Sequence, residues 1–231
     1  AGAECNDLSM ESSTSLIDNG FLTIYGGLTA ERLLTGGTTK DDPNAIYHLV
    51  SSPVQSIDGY DIFDSATFVR VWIESNQNWG NLVGPGSNLV PGRGYASWSQ
   101  AGDETISFFG SLNTGNIPSF PLYYTPTAPN ATLIGYNMVG NPYLSGIAWN
   151  QGSWTKNNLS GTIAVLDGAA GNYIYWDGAA GSLPGGVVPP MHGFWVQAVA
   201  ASPSLTFAND SRVHSADNFK EDVENVLELK A

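Results

Sequence analysis

The chain carries an internal duplication, which limits its fold more than any other feature. The matching segments are, in chain order, 47–54 (YHLVSSPV) with 136–143 (YNMVGNPY), 68–72 with 163–166 more weakly, and 90–96 with 188–196. Segments that match in a fixed order, at an offset of about 90 to 100 residues, indicate that one structural unit occurs twice. Any fold proposed for this chain must therefore contain two copies of the same unit.

The repeated segments have the pattern of short β-strands. Each is a run of apolar and aromatic residues bounded by Gly, Asn or Pro, and the prolines stand just before aromatic runs, where a missing N–H is tolerated at the start of a strand. Only 13% of the residues are charged, which is typical of extracellular β-proteins rather than helical enzymes. We expect an all-β protein of two tandem sandwich-like, jelly-roll-like units.

The duplication divides the chain into four predicted parts. Residues 1–40 hold alternating segments joined by Asn-Gly and Gly-Gly pairs, which predicts an N-terminal β-hairpin. The first unit is expected at 41–129 and the second at 130–216, with the division in a proline-rich connector. The charged segment 217–231 has a helical period that could equally open a strand, and we expect it to be a linker to a C-terminal domain that this chain lacks.

Charge and composition exclude several classes of partner and of fold. A net charge of −13 and a pI near 4.3 argue against binding to nucleic acid or to an anionic membrane surface. Membrane insertion is not expected, because the sequence contains no run of eighteen apolar residues. The single cysteine, Cys5, excludes an intramolecular disulfide, so the fold depends on its cores.

Several motifs together resemble a known class of secreted protein. The segments ERLLTGG at 31–37, YHLVSSP at 47–53, VGNPY at 139–143 and PPMHGFWV at 189–196 occur in that order. This arrangement resembles the region ahead of the C-terminal sorting domain in surface proteins exported by the type IX secretion system of Bacteroidota. The resemblance implies an extracellular or outer-membrane surface location and export by that machinery through the missing domain. It implies no common catalytic activity.

Motifs for catalysis or for zinc are missing from the sequence. The three histidines, His48, His192 and His214, and the one cysteine would have to converge from distant positions to hold zinc. No Gly-x-Ser-x-Gly elbow and no His-Glu-x-x-His segment occurs. We therefore expect no enzyme, although two of the 21 acidic residues could converge as a catalytic carboxylate pair.

Two acidic groups are candidate Ca²⁺ sites, because Ca²⁺ prefers hard oxygen ligands on loops. The candidate metal ligands are Asp41, Asp42 and Asn44 in one group and Asp58, Asp61 and Asp64 in the other. Neither group has the spacing of an EF-hand. The alternative is that these residues are solvated turn residues, and this alternative stays open at the level of sequence.

Aromatic residues flanked by amides are the candidate ligand contacts. Sugar rings stack on flat aromatic side chains, while neighbouring amides and acids bind hydroxyl groups. The candidate residues are Trp79 with Asn78, Trp154 with Asn157, and Tyr173, Tyr175, Trp176 and Asp177. The alternative is that these rings cover a sheet face, since aromatic residues are favoured in strands. Trp72, Trp98 and Trp195 lie in apolar runs and are expected in the core.

The leading hypothesis is a non-catalytic extracellular module that mediates adhesion or binds polysaccharide or another host or environmental glycan, with Ca²⁺ as a candidate cofactor. A second hypothesis is a structural spacer between an upstream functional domain and the sorting domain. A third is a glycan-active enzyme that uses paired carboxylates. The first predicts an aromatic groove, the second none, and the third a cleft with two carboxylates roughly 5 to 10 Å apart.

Overall fold

The computed structural model describes residues 3–12, 14–18, 21–37, 46–65, 67–82, 86–168 and 170–215. The predicted all-β class is confirmed, because short strands and single-turn 3₁₀ segments make up the regular structure of these residues. In this described part, no helix is long and apolar enough to cross a membrane. The predicted linker at 217–231 lies outside the described residues.

The strands are short, and their bounds are as follows. The first half contains β1 (Ala3–Cys5), β2 (Leu8–Met10), β3 (Leu22–Ile24), β4 (Leu28–Leu34), β5 (His48–Val50), β6 (Thr67–Ile73), β7 (Asn78–Leu82), β8 (Tyr95–Ser99) and β9 (Glu104–Phe109). The second half contains β10 (Ile117–Pro118), β11 (Tyr136–Gly140), β12 (Gly146–Ala148), β13 (Thr155–Asn157), β14 (Leu159–Asp167), β15 (Asn172–Trp176), β16 (Val187–Val188), β17 (Gly193–Ala198), β18 (Ser204–Phe207) and β19 (Arg212–Val213). The 3₁₀ turns are Gly59–Asp61, Ala131–Leu133, Pro184–Gly186 and Asn209–Ser211.

Two four-stranded sheets with the same strand order form the centres of the two units. Sheet I has the order β5-β8-β6-β7, and sheet II has the order β11-β17-β14-β15. If the four strands of each sheet are numbered along the chain, both sheets have the spatial order first, fourth, second, third. The segments matched in the sequence occupy matching strands, because β5, β6 and β8 correspond to β11, β14 and β17. This is the strand order that a duplicated unit predicts.

Each central sheet packs one face against the smaller sheets of its own unit. Sheet I faces the sheet β2-β4-β9, and sheet II is accompanied by β10-β18-β13 and β16-β12-β19. The first core contains, among others, Val50, Val69, Tyr95, Ala30, Ile106 and Phe108. The second core contains, among others, Ile163, Val165, Phe194, Val196, Leu205 and Phe207. Each large apolar side chain buried in this way contributes about 1.5–3 kcal/mol to folding.

The proline-rich connector contributes to the second unit. Strand β10 pairs antiparallel with β18, so the chain joins the second unit's sheet at Ile117. Leu122 is buried in the second core, and Ile117 and Phe120 pack against that core. The division near residue 130 stays a prediction, but the second core draws on residues before it.

The described N-terminal strands do not pair as the predicted hairpin. Instead, β1 pairs with β3 and β2 pairs with β4, and both ladders are parallel. Gly26 and Gly27 do not form a two-residue hairpin turn. They lie between β3 and β4, where their backbone contacts Asn6 and Asp7. The Gly27 N–H donates to Asp7 Oδ1 at 2.8 Å, and a side chain on Gly26 would overlap the Asn6 carbonyl. The glycines allow two backbone segments to approach each other closely. From the sequence alone, a Gly-Gly pair in this role looks the same as a Gly-Gly pair in a turn.

The two units contact each other through reciprocal backbone bridges. Val50 of β5 forms an antiparallel bridge with His192, and Val139 of β11 forms one with Arg93. In the duplication, Val50 corresponds to Val139 and Arg93 to His192. Each unit thus offers the same patch to the other, as in an isologous dimer interface. The two copies are arranged about a local pseudo-two-fold relation.

Equivalent hydrogen bonds accompany these bridges. The Ser51 N–H donates to the Met191 carbonyl at 2.9 Å, and the corresponding Gly140 N–H donates to the Gly92 carbonyl at 3.1 Å. The buried Arg32 of β4 also donates to the Met191 carbonyl, and burial lowers the pKa of this guanidinium to about 9. The contact between units is therefore made of backbone hydrogen bonds as well as side chains.

A buried carboxylate ties the first unit to the connector. Glu74, at the end of β6, is only 2% exposed. Its Oε1 accepts from the N–H groups of Thr125 and Gly135 at 3.0 and 2.8 Å, and its Oε2 accepts from the Thr125 hydroxyl at 2.6 Å. Charge-assisted bonds of this kind hold the connector against the turn that follows β6.

Gly140→Ala is expected to destabilise the protein by about 1–3 kcal/mol, because the added methyl group would overlap Ser51 and the Arg93 carbonyl at the contact between the units. Gly27→Ala is the matched control, since its Cβ would meet Asp7 Oδ1 at an ordinary 3.6 Å. We expect the control to change the stability by less than about 1 kcal/mol. Urea unfolding followed by circular dichroism measures both. Equal effects of the two substitutions would contradict the close contact between units.

Candidate functional site

The outer faces of sheets I and II face each other. Because side chains alternate along a strand, the residues between the core positions of β5, β8 and β6 point away from the first core, and the same holds in β11, β17 and β14. These outward residues form a third apolar cluster, which we call the seam. Its members are Leu49, Ala96, Met138, Trp72, Trp79, Leu166 and Trp195. Both central sheets are therefore covered on both faces.

Three tryptophans pack edge to face in the seam. Trp72 lies 5.5 Å from Trp79 and 5.3 Å from Trp195 between ring centroids, and Trp79 lies 6.0 Å from Trp195. The Trp72 indole also donates to the Tyr136 carbonyl of the other unit at 2.8 Å. Aromatic pairs in this geometry are worth about 0.5–1.5 kcal/mol beyond the area they bury. The seam is thus a rigid contact.

A pocket of about 420 Å³ opens beside the seam, between the two sheets. Its lining comes from both units and is dominated by aromatic rings. The lining residues are Tyr47, Leu49, Arg70, Trp79, Ala96, Trp98, Leu166 and Tyr173. This volume lies within the range of about 300–1,000 Å³ that is usual for pockets that bind small ligands.

Sheet I supplies a fixed aromatic wall. Trp98 is 3% exposed and stacks on Phe68, with 4.9 Å between centroids and 15° between planes. The Tyr47 ring lies 5.5 Å from Trp98, and the Arg70 guanidinium lies over the same indole at 5.3 Å. Since Trp98 is held on several sides, this wall cannot easily change shape.

Arg70 carries the one charge in the lining formed by described residues. Its Nε is buried without a hydrogen-bond partner, and so is Nε1 of Trp98. Buried donors in proteins are normally paired, so two unpaired donors on side chains that line one pocket are unusual. Both atoms are themselves buried and do not face the open pocket, so the half-buried Arg70 side chain as a whole brings the positive charge to the lining.

Sheet II supplies Tyr173, which projects from β15. Its side chain is 50% exposed. Burial of the hydroxyl raises the pKa of Tyr173, and a hydrogen bond with the Trp195 side chain opposes that rise. Trp79 and Tyr173 hold corresponding positions, because Trp79 pairs with Trp72 in sheet I and Tyr173 pairs with Leu166 in sheet II. The two copies thus contribute equivalent aromatic residues to one pocket.

The pocket exists on one side of the seam because the copies differ there. Ala96 pairs with Arg70 in sheet I, and the corresponding pair in sheet II is Trp195 with Ala164. Trp195 fills the seam on its side against Trp72 and other rings. The small Ala96 leaves the equivalent volume empty.

The structure brings two of the predicted ligand residues, Trp79 and Tyr173, into this pocket. Asn78 is exposed beside Trp79, and its Oδ1 accepts from the Trp79 N–H at 2.8 Å. Tyr175 is 52% exposed on the same strand as Tyr173 but does not line the pocket. The other predicted residues lie elsewhere.

Trp154 and Asn157 belong to the packing of β13 against the second core. The Trp154 ring lies 5.1 Å from Trp149 and 5.5 Å from Phe207, and its indole donates to the Gln151 carbonyl at 2.7 Å. Asn157 donates to the Ser204 hydroxyl across the β13–β18 ladder. Packing on the second core therefore explains Trp154 without a ligand.

Trp176 and Asp177 also have structural contacts. Trp176 packs against the second core and against Gly186, and its indole N–H is buried. Asp177 accepts from the Ala180 and Ala179 N–H groups at 2.7 and 2.8 Å, and these bonds lower the pKa of Asp177. These contacts favour the alternative that both residues shape the turn after β15.

The structure does not bring the second acidic group together as a metal site. Asp58 caps the 3₁₀ turn by accepting from the Tyr60 N–H at 2.9 Å, and it also accepts from the Gly86 N–H. Within the described ranges, no three His, Cys, Asp or Glu side chains are grouped as a metal ion would require, so the metal role of Asp58, Asp61 and Asp64 stays a prediction. Asp41, Asp42 and Asn44 lie outside the described residues.

Six of the eight lining residues were not predicted as ligand contacts, and three of these six, Trp98, Arg70 and Tyr47, are aromatic or charged. Trp98 was expected in a core. It is buried, but it forms a wall of the pocket and belongs to neither of the two cores. Trp72 and Trp195 were also expected in a core and lie in the seam. Arg70 is a lone charge within the apolar segment FVRVW, and this interruption is the sequence signal that could have identified it. For Tyr47 the sequence holds no comparable signal.

Trp154→Ala is expected to lower the free energy of unfolding by about 2–3 kcal/mol, since it removes a half-buried ring that packs on Trp149 and Phe207. Tyr175→Ala removes an exposed ring and is expected to cost less than about 1 kcal/mol. Chemical unfolding monitored by far-ultraviolet circular dichroism compares the two. If Trp154→Ala were as mild as Tyr175→Ala, the ring would be an exposed platform instead.

Comparisons with known proteins identify no family for this chain. No family model matches it, and neither the curated proteins nor the solved structures contain a match. The resemblance to type IX secretion proteins thus stays an expectation based on the sequence motifs. Proposals about function therefore depend on the geometry of the seam and its pocket.

Proposed function

We propose that the protein is a non-catalytic, secreted surface module that binds carbohydrate in the pocket between its two units. The observation that supports this most directly is the pocket itself, in which rings from both units, Trp79 and Tyr173 among them, surround a volume of about 420 Å³. Aromatic walls with a few polar groups are the usual composition of a ligand pocket.

A sugar suits this lining better than a purely apolar ligand does. The C–H faces of a sugar ring stack on flat aromatic side chains, and its hydroxyl groups accept hydrogen bonds. The pocket provides rings from Tyr47 and Trp79 for stacking, and the guanidinium of the half-buried Arg70 provides a charged donor group in the lining. A hydrocarbon ligand would give that group no hydrogen-bond acceptor, which is unfavourable.

The rigidity of the walls also supports a binding role. Trp98 is fixed by Phe68 and by the Arg70 guanidinium, so little side-chain freedom remains to be lost when a ligand binds. A preorganised site loses less conformational entropy on binding than a mobile one. This matters for sugars, because their stacking and hydroxyl contacts are individually weak.

The surface location and the export route are proposed from the sequence resemblance alone. In this proposal the module is carried on a larger exported protein and gives it adhesion to a polysaccharide. Ca²⁺ has no part in the proposal.

A structural spacer is the second candidate, and one observation favours it. The seam, the reciprocal backbone bonds of Ser51 and Gly140, and the buried Glu74 together fix the two units against each other. Two units held in a fixed relation to each other are what a spacer requires. The spacer differs from the binding module in one respect: it gives no response to any glycan.

Tyr173→Ala is expected to weaken glycan binding by tenfold or more, because it removes a ring from the pocket wall. Tyr175→Ala is the matched control, since the two tyrosines are two residues apart on β15 and are 50% and 52% exposed. A glycan array identifies the ligand, and isothermal titration calorimetry measures the affinity of each variant.

Equal binding by the two tyrosine variants would contradict the assignment of the pocket as the binding site. No binding by the unmodified protein to any glycan on a broad array would favour the spacer. Thermal unfolding of each variant verifies that a loss of binding does not reflect a loss of fold.

A further inference from the structure

We propose that the pocket selects an acidic sugar, one whose ring carries a carboxylate or a sulfate group, and that Arg70 binds this anion. The inference rests on the proposed carbohydrate-binding function and specifies its ligand class. It follows from the charge and hydrogen bonding of the lining, in which a guanidinium is the one ionised group among the described residues.

Arg70 stands at an unusual place for a charged side chain. It lies in β6, between Phe68 and Trp72, on the outward face that forms the seam and the pocket. Its guanidinium stacks over Trp98 at 5.3 Å, and its Nε is buried without a partner. The side chain as a whole is half-buried, and an arginine that is fully removed from water is normally paired with an acid.

No described carboxylate neutralises Arg70 in the pocket. The acidic residue nearest to the lining in sequence is Asp167, which follows Leu166 at the end of β14. Asp167 Oδ1 accepts from the Ala170 N–H at 3.0 Å, as a turn residue does. Among the residues that the structure describes, Arg70 is therefore the one charged residue that lines the pocket.

The duplication indicates that this charge is not needed to pack the sheets. The residue that corresponds to Arg70 in sheet II is the uncharged Ala164, which pairs with the seam residue Trp195. The copy with the small Ala96 is also the copy with Arg70. The pocket beside Ala96 and the charge of Arg70 thus occur in the same copy, as a site for a charged ligand requires.

A positively charged donor such as Arg70 favours a ligand with an oxyanion over a ligand that has only hydroxyl groups. A carboxylate or sulfate offers several lone pairs, and its charge-assisted bonds to guanidinium are about twice as strong as neutral ones. The sugar ring that carries the anion would stack on Tyr173 or Trp79, which both line the same volume. Arg70 accordingly determines specificity, and the rings provide general affinity for sugars.

The test is calorimetric titration of the full chain with three probes of matched length. These are an oligomer of a uronic acid, the same oligomer with its carboxyl groups reduced to alcohols, and a sulfated oligosaccharide. We expect the unmodified protein to bind at least one acidic probe tenfold or more tightly than the reduced, neutral one. The two acidic probes distinguish a carboxylate ligand from a sulfate ligand.

Arg70→Gln is expected to abolish this preference, and Arg70→Lys to keep part of it because the charge remains. Arg93→Gln is the matched control: its guanidinium also stacks on aromatic rings, 4.9 Å from Phe120, but lies outside the pocket lining. It changes the net charge equally and should leave the preference intact. Thermal unfolding shows whether each variant is folded, and Arg70→Lys provides the test if Arg70→Gln is not.

Equal affinity for acidic and neutral probes, unchanged in Arg70→Gln, would overturn the inference. In that case, binding that Tyr173→Ala abolishes would leave the carbohydrate-binding proposal standing. Failure of every probe and of the glycan array would overturn both.

Discussion

The structure depends on burial of both faces of each central sheet. Sheets I and II have apolar side chains at alternate positions facing their own cores, and the positions between them form the seam. An antiparallel sheet usually leaves one face in water, so a strand such as β6 would show polar residues at every second position if its unit stood alone. Here those positions of β6 hold Phe68 and Trp72 on either side of the charged Arg70. Neither unit could expose this face without a large apolar patch, and the fold is therefore one body of two copies rather than two independent domains.

The pocket is a consequence of the same arrangement. Two copies of one face, related by a pseudo-two-fold, would pack symmetrically if their residues were identical. They differ at Ala96 and Trp195, so one side of the seam is filled and the other is open. The opening cannot close by collapse, because the backbone hydrogen bonds of Ser51 and Gly140 fix the distance between the units. Packing defects of this kind are normally unfavourable, and one that persists between rigid walls is a natural place for a ligand.

The sequence predicted the all-β class and a unit that occurs twice, because alternation along strands and repeated segments can be read from the residues alone. The pairing of the described N-terminal strands differs from a hairpin, since β1–β3 and β2–β4 are parallel ladders whose partners are set by the tertiary structure. Of the rings that line the pocket, the sequence analysis proposed Trp79 and Tyr173 as ligand contacts from their amide-flanked context, but it could not separate them from Trp154. That distinction depends on register, which decides whether a ring faces a core, the seam or solvent. The role of Arg70 follows only when both sheets are placed, because its pocket includes residues about a hundred positions away.

Binding and rigidity are coupled in this arrangement. A ligand in the pocket would touch residues of both units, such as Trp79 and Tyr173, and could do so only while the seam is intact. Binding would therefore stabilise the packed pair, as any ligand stabilises the state that it recognises. A module that must hold its position on a surface gains from this coupling, since the contacts that fix its shape are the contacts that form its site. The spacer and binding roles thus make the same demand on the seam, and they differ only in whether the pocket that Ala96 opens is occupied.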